Sequence, residues 1–250
     1  MAGAVATVTT VLVITLVVLG NNNSQPRSAT PSSRGPTASA SPAPTSSSPR
    51  PPAAPALDVG TLPSLLASAE QVGQVLNNVP MSPNEVETSL ASGVSMNPAT
   101  CGSAVAPVLD ATYAASGDLG VAVQALQEAK AGRHKAIQAV AAFPDATAAQ
   151  RFYAQQLSAW QGCRLTEVTV SYRNGQPDDH AKITVVSDTG GIATTVLLPA
   201  GASGPKDSEC ERAMSAQRNI VVDVRVCGPN TITAGFMLVR TINNNITRHP

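Results

Sequence analysis

CERAMSAQRNIVVDVRVC, residues 210–227 of the 250-residue chain, is the stretch that decides the fold. Its second half is rich in β-branched residues, which favour a strand. A two-residue turn at Arg218-Asn219 pairs the two halves as a hairpin and sets Cys210 opposite Cys227. That position is non-hydrogen-bonded, with Cα atoms about 4.5 Å apart, so the two cysteines are within reach of a disulfide.

The same register has an electrostatic penalty. It places Arg212 directly opposite Arg225, and like charges at opposed positions destabilise a strand pair. The pattern therefore predicts the hairpin and leaves a slipped register open.

Hydrophobic spacing predicts the other elements. Helices are expected in 62–76 with Ser64 as the cap, in 105–115, between Asp145 and Gly162, and in 231–246. Strands are expected in 119–128, 135–143, 165–172, 181–186 and 192–198. Residues 77–98 are predicted to be a loop with a helical turn near Val86. This order predicts an α+β fold with a central, mostly antiparallel sheet flanked by helices.

The cysteines and the charge balance limit the class of protein. The four cysteines are too far apart for a zinc ribbon and form no C-x-x-C motif. Their even number favours two disulfides in an exported protein over the alternative of four free thiols in the cytosol. Three arginines and no acid precede residue 57, so the rest carries 13 bases and 16 acids. This balance argues against a nucleic-acid partner.

The N-terminal part is predicted to tether the folded part. Residues 1–20 are apolar and uncharged, as in a transmembrane anchor or a signal segment. Arg27 and Arg34 lie on the side that we expect to be outside, against the positive-inside tendency, but the cysteines favour export. We therefore expect an uncleaved single-pass anchor with the folded domain extracytoplasmic, and secretion after cleavage is the alternative.

A spacer is predicted between the anchor and the domain. Residues 21–56 contain nine Pro and nine Ser and no acid or aromatic residue. Such a segment cannot bury enough apolar surface to offset its ordering entropy, so it is predicted to be a disordered linker. The remaining residues, 57–250, are long enough to form one domain with a sizeable core.

No sequence motif indicates catalysis or a bound metal. Asp188-Thr189-Gly190 matches the tripeptide of aspartic proteases, but it occurs once and falls where a hairpin turn is expected. Asp178-Asp179-His180 is interpreted as solvated surface. With no nucleophile–base pair visible, we expect neither an enzyme nor a cofactor.

Candidate ligand contacts are polar residues on strand-like runs or at a helix end. They are Tyr113, Gln124, Gln138, Arg212 and Asp223. Buried polar groups must be satisfied, so each of these side chains either pairs internally or faces a cleft, and the sequence leaves both options open.

The chain from Ala69 onward resembles the extracellular sensor domain of the PknH-type Ser/Thr kinases of mycobacteria, a domain that also occurs on lipoproteins and single-pass proteins. The matching stretches are SAEQVG (68–73), YAASG (113–117), FPDA (143–146), WQGC (160–163), CERAM (210–214) and NIVVDV through CG (219–228). The resemblance implies a central antiparallel sheet, disulfides Cys101–Cys163 and Cys210–Cys227, and a cleft that binds a ligand. No kinase is present in the chain, and Trp160 is its single tryptophan, whereas the family usually has more.

These observations predict a membrane-tethered sensor or binding domain. Its partner is expected to be a small molecule, an envelope glycan or an envelope lipid. A module that docks onto another envelope protein is the alternative, and an envelope hydrolase is a remote one. A concave pocket with convergent polar groups supports ligand binding, and a flat apolar patch supports docking.

Overall fold

The computed structural model describes residues 55–130, 132–173, 175–176, 178–200 and 209–249. The predicted anchor (1–20) and all of the predicted linker except residues 55–56 lie outside this set. Within it, no helix combines the length and the apolar character that a membrane span needs.

A nine-stranded antiparallel sheet organises the described residues. The strands are β1 Met81–Pro83, β2 Val94–Asn97, β3 Gly120–Glu128, β4 Lys135–Ala142, β5 Glu167–Tyr172, β6 Asp179–Asp188, β7 Ile192–Pro199, β8 Cys210–Gln217 and β9 Ile220–Cys227. Their order across the sheet is β1-β3-β4-β9-β8-β7-β6-β5-β2. The hairpin predicted from residues 210–227 lies near the middle of this order.

Six α-helices accompany the sheet within the described ranges. They are α1 Leu62–Leu65, α2 Ala69–Val75, α3 Gly102–Val105, α4 Asp110–Tyr113, α5 Ala146–Gly162 and α6 Ala234–Arg248, with 3-10 turns at Val59–Thr61 and Ala99–Cys101. The α+β class and the mostly antiparallel sheet are therefore confirmed.

The central hairpin has the predicted register. Cys210 pairs with Cys227, and Arg212 pairs with Arg225. The Cys210–Cys227 disulfide has a Cα–Cα distance of 3.9 Å. The second predicted disulfide, Cys101–Cys163, is also present, with a Cα–Cα distance of 5.6 Å.

Strand alternation divides the core into two layers. On one side, which we call the α6 face, Val222 and Val224 pack with Leu238 and Ile242 of α6, and with α1 and α2. On the other side, the α5 face, Met214 and Val221 pack with aromatic side chains that include Trp160 of α5. Each face of the sheet is thus covered by its own set of helices.

The prediction of one continuous helix over residues 62–76 was wrong. It breaks at Leu66 and Ala67, because the side chain of Gln138 bonds both the N–H and the carbonyl of Ala67. The chain restarts as α2 with Ser68 as the N-cap, in a capping box with Gln71. Ser64, the predicted cap, instead donates its hydroxyl to the carbonyl of Thr61.

The segments on either side of α3 also differ from the prediction. Residues 77–98 contain β1 and β2 rather than loop alone, and the helical turn near Val86 is replaced by a bridge between Glu87 and Val123. The helix predicted for 105–115 is interrupted at Val108, which has a φ of +45°. The N–H of Val108 donates to Asp223 instead of continuing a helix.

The predicted closing helix starts three residues late, at Ala234. The N–H of Thr231 donates to the Glu209 carboxylate, and its hydroxyl donates to the Glu209 carbonyl. These bonds use the backbone and side chain of Thr231 outside a helix. The Asp188-Thr189-Gly190 tripeptide is a hairpin turn between β6 and β7, as predicted, with positive φ at Gly190 and Gly191.

Candidate functional site

Three of the five predicted ligand contacts form one buried cluster on the α5 face. Arg212 on β8 and Asp223 on β9 are 0% and 1% exposed, and they form an ion pair of 2.7 Å. The other carboxylate oxygen of Asp223 accepts the Tyr113 hydroxyl at 3.1 Å and the N–H of Val108 at 2.9 Å. Burial and the neighbouring Asp223 charge raise the pKa of Tyr113 well above its usual value.

Arg212 extends this cluster to the helices. Its guanidinium donates to the carbonyls of Ser103, at 2.8 Å, and Val224. It also lies over the Trp160 ring at 4.9 Å, and the Trp160 indole donates to the Ser103 hydroxyl. Together, Arg212 and Asp223 fasten the segment from Ser103 to Val108 onto the sheet.

The other two predicted contacts form a network on the α6 face. Gln138 on β4 is buried, exchanges two hydrogen bonds with the backbone of Ala67, and donates to the Gln124 side chain at 3.0 Å. Gln124 on β3 donates in turn to the carbonyl of Asn84. Gln124 also lines a shallow cavity of about 560 Å³ beside Ser68 and Arg248. All five residues pair internally, and a ligand role for any of them stays a prediction.

A larger cavity lies on the α5 face, at the end of the sheet where β5, β7 and β9 end and β4, β6 and β8 begin. It has a volume of about 680 Å³, and we call it the Arg225 cleft. Its apolar wall includes Val105, Val170, Leu197, Leu198, Pro199 and the Cys210–Cys227 disulfide. Its polar wall includes Arg133, Lys135, Tyr172, Asp179, His180 and Arg225.

Arg225 is the half-buried cation of this cleft. Its guanidinium donates to the carbonyl of Val105 at 3.3 Å. Burial and the nearby Arg212 cation lower the pKa of Arg225 from its usual value, because both disfavour a second positive charge. The Arg212–Asp223 cluster is next to the cleft, because Arg212 is the cross-strand partner of Arg225. Its bonds to Ser103 and Val108 hold in place the α3 segment that Arg225 contacts.

A tyrosine–aspartate pair lies on the same polar wall. The Tyr172 hydroxyl donates to the Asp179 carboxylate at 2.7 Å. Burial and this carboxylate raise the pKa of Tyr172, so the phenol stays neutral at physiological pH. Neighbouring His180 lies 3.2 Å from the Thr169 hydroxyl. The described residues contain no group of three metal-ligating side chains.

Sequence reasoning missed the residues of the Arg225 cleft. Lys135, Tyr172 and Asp179 lie at strand ends that meet only in the folded sheet. From the sequence alone, Arg225 is an obstacle to the hairpin register, and Asp179 and His180 are interpreted as solvated surface. The unfavourable opposition of Arg212 and Arg225 was the signal that could have found the cleft, since function is a common reason to retain a destabilising charge pair.

A buried carboxylate caps α6 on the other face of the sheet. One oxygen of Glu211 accepts the N–H groups of Thr233, Gly235 and Phe236 at 2.7–3.1 Å. Burial raises the pKa of Glu211 to about 7, although the hydrogen bonds from Phe236 and Gly235 act in the opposite direction. This carboxylate replaces the missing side-chain cap of Thr233.

Comparison with known proteins gives one family. The sequence model of the family described as "PknH-like extracellular domain" matches residues 57–245. The chain is 31% identical over 173 residues to the serine/threonine-protein kinase PknH of Mycobacterium tuberculosis, covering 67% of this chain and 26% of the kinase. It is 31% identical over 155 residues to the serine/threonine-protein kinase PknJ of the same organism, covering 61% of this chain and 26% of that kinase. The chain thus spans about a quarter of the length of these relatives.

A solved structure has the same fold. The crystal structure of the extracellular domain of PknH from Mycobacterium tuberculosis matches with a TM-score of 0.72 and 26% sequence identity. The match covers 78% of this chain and 99% of the crystallised one. The part of the kinase that resembles this chain is therefore an extracellular domain.

Proposed function

This chain belongs to the PknH-like extracellular domain family, and from that premise we propose that it is an extracytoplasmic sensor-type domain that binds a small molecule in the Arg225 cleft. The domain acts without catalytic activity of its own and is held at the membrane by residues 1–20. Support for the location comes from the family and from the two disulfides, which persist in oxidising compartments.

The Arg225 cleft is the observation that carries this proposal. Its volume of about 680 Å³ lies within the range of roughly 300–1,000 Å³ that is typical of small-molecule sites. Its apolar wall offers area for burial, and Arg225, Tyr172 and Asp179 offer polar groups that converge from different strands. Concavity with convergent polar groups favours a ligand over docking of a flat protein surface.

The chemistry of the cleft supports binding rather than turnover. The described lining residues include no serine or threonine, and both lining cysteines are oxidised. The raised pKa of Tyr172 disfavours a phenolate nucleophile. Nucleophilic catalysis needs an activated nucleophile beside a base, which these residues do not supply.

A thermal-shift screen tests the proposal. The protein used starts at Pro55, because both cores and both disulfides lie between residues 55 and 249. The probes are mannose- and arabinose-containing glycans, muropeptides and phospholipid headgroups. A ligand at a hundred times its Kd should add about 2.7 kcal/mol, which corresponds to roughly 5–10 °C in Tm for a domain of this size.

Two tryptophan variants locate the binding site. Ala181 lines the cleft, so Ala181→Trp should fill it and abolish the shift. Ala154 is exposed on α5, and Ala154→Trp should keep the shift in full. Flat melting curves for every probe, or an equal shift in both variants, would overturn binding in this cleft.

A further inference from the structure

We propose that the Arg225 cleft recognises its ligand through an anionic group, a carboxylate or a phosphate, that binds the guanidinium of Arg225. This inference rests on the proposed function, since it names the chemistry of the ligand for the same cleft. The group could belong to a soluble metabolite or to a lipid headgroup, and the experiment below separates these sources.

The charge of the cleft is the first argument. Among its described lining residues, Lys135 and Arg225 supply positive charge to the cleft, whereas Asp179 is the one carboxylate. Asp179 already accepts a hydrogen bond from Tyr172. A concave wall with this excess of positive charge attracts anions, and its low-dielectric surroundings strengthen the attraction.

The two opposed arginines of the hairpin give the second argument. Arg212 and Arg225 are direct cross-strand partners on the same face. Arg212 has its counter-ion, because Asp223 lies 2.7 Å away. Arg225 forms no ion pair with any carboxylate of the described residues. Its charge is offset by the Val105 carbonyl, by solvent in the cleft, and through space by Asp179 and Tyr172.

The geometry of Arg225 leaves room for a ligand. A guanidinium has five N–H donors in a planar fork, and the bond to Val105 uses one of its nitrogens. The side chain lines the cleft, so its other donors are available there. A carboxylate or a phosphate is the group that fits such a fork with two parallel hydrogen bonds.

Isothermal titration with matched probes tests this chemistry. The probes are inorganic phosphate, glucose 6-phosphate, glucose, and vesicles of phosphatidylcholine with or without phosphatidylinositol. We expect a phosphate-bearing probe to bind and glucose to bind at least tenfold more weakly. Binding of the soluble phosphates alone identifies a metabolite-type ligand, and binding of the phosphatidylinositol vesicles alone identifies a lipid headgroup.

Three variants assign the binding to the cleft. Arg225→Gln should weaken the affinity roughly tenfold or more, because it removes a charge-assisted hydrogen-bond donor pair. Lys135→Gln, at an exposed position on the same wall, should weaken it less. Arg151→Gln, which removes the same charge from the exposed side of α5, should leave it unchanged.

The outcomes separate the two proposals. Equal binding of glucose and glucose 6-phosphate, with no effect of Arg225→Gln but loss in Ala181→Trp, would overturn anion recognition and leave the cleft as the site. Phosphate binding that survives Arg225→Gln would also overturn it. If no anionic probe binds, anion recognition fails, and the neutral glycans of the thermal-shift screen still decide whether the cleft takes a ligand.

Discussion

The two faces of the sheet bury polar side chains in different ways. On the α6 face, Gln138 is neutral, and its amide bonds to the backbone of Ala67 and to Gln124. On the α5 face, Arg212 and Asp223 bury full charges at 0% and 1% exposure. The neutral network holds the break between α1 and α2. The charged network instead fixes the segment from Ser103 to Val108, which lines the Arg225 cleft through Val105.

The difference shows how the fold supports one wall of the Arg225 cleft. A buried ion pair has a larger desolvation penalty than a neutral amide, so its presence here points to a specific geometric task. Here that task is to hold Val108 and the carbonyl of Ser103 against the sheet. Between these two contacts lies Val105, which binds Arg225 at the edge of the cleft.

Breaking the charged network should have the largest effect. Asp223→Ala leaves Arg212 buried and unpaired, so we expect a loss of about 3–5 kcal/mol in the free energy of unfolding, measured by urea titration. The double variant Arg212→Met with Asp223→Leu should be clearly more stable than Asp223→Ala, because it buries no charge. A loss below about 1 kcal/mol in the single variant would contradict a structural role for the pair.

The Glu211 cap should make stability depend on pH. The pKa of Glu211 is about 7 in the folded protein, against an ordinary value of 4.5, so the folded state binds a proton more tightly than the unfolded one. Its contribution is therefore fully present below about pH 4.5 and is lost as pH rises through 7, by about 3 kcal/mol at most. Urea titrations of wild type and Glu211→Gln at several pH values should show this slope in the wild type alone. An equal slope in both proteins would count against the assignment.

Breaking the neutral network should have a smaller effect. Gln138→Leu keeps the side-chain volume but leaves the N–H and carbonyl of Ala67 unpaired, which should cost about 2 kcal/mol. Gln124→Leu is the matched control, since Gln124 is only half-buried, and its loss should stay below about 1 kcal/mol. The reverse ranking, measured by urea unfolding, would show that Gln124 rather than Gln138 holds the network.

The smallest effect on stability is expected for Arg225→Gln. The change removes a like charge that faces Arg212, so the free energy of unfolding should stay within about 0.5 kcal/mol of wild type or rise. Arg151→Gln on the surface of α5 provides the comparison. A loss above about 2 kcal/mol would show that Arg225 is a structural residue like Arg212.

Local patterns made much of the fold predictable. One turn and two cysteines predicted the β8–β9 hairpin and favoured the observed register, although the opposed arginines left a slipped register open, and the order of elements predicted the fold class. The helix breaks could not be predicted in this way. Ala67 is held by Gln138, 71 residues away in sequence, and Val108 is held by Asp223, 115 residues away.

The short strands and the site were harder to predict for related reasons. β1 and β2 lie at the two edges of the sheet, and a proline ends β1, so neither leaves a clear alternating pattern. The sequence identifies polar residues on the strands as candidate site residues. The alternation of polar and apolar residues alone does not show whether such a side chain bonds to an internal partner or faces a cleft. Tyr172 ends β5, and the strand that carries Arg225 begins at Ile220, 48 residues later in sequence. The two side chains therefore come to line one cleft only in the folded sheet.

The most direct test compares the two opposed arginines in one experiment. The guanidinium Nε–Hε resonances of Arg212 and Arg225 are followed by two-dimensional ¹H–¹⁵N NMR while the phosphate-bearing probe that binds most tightly in the isothermal titration is added. The Arg225 resonance, identified by its loss in Arg225→Gln, should move in a saturable way while that of Arg212 stays in place. Movement of Arg212 with Arg225 static, or no movement of either, would contradict the assignment of Arg225 as the ligand-binding residue and of Arg212 as its support.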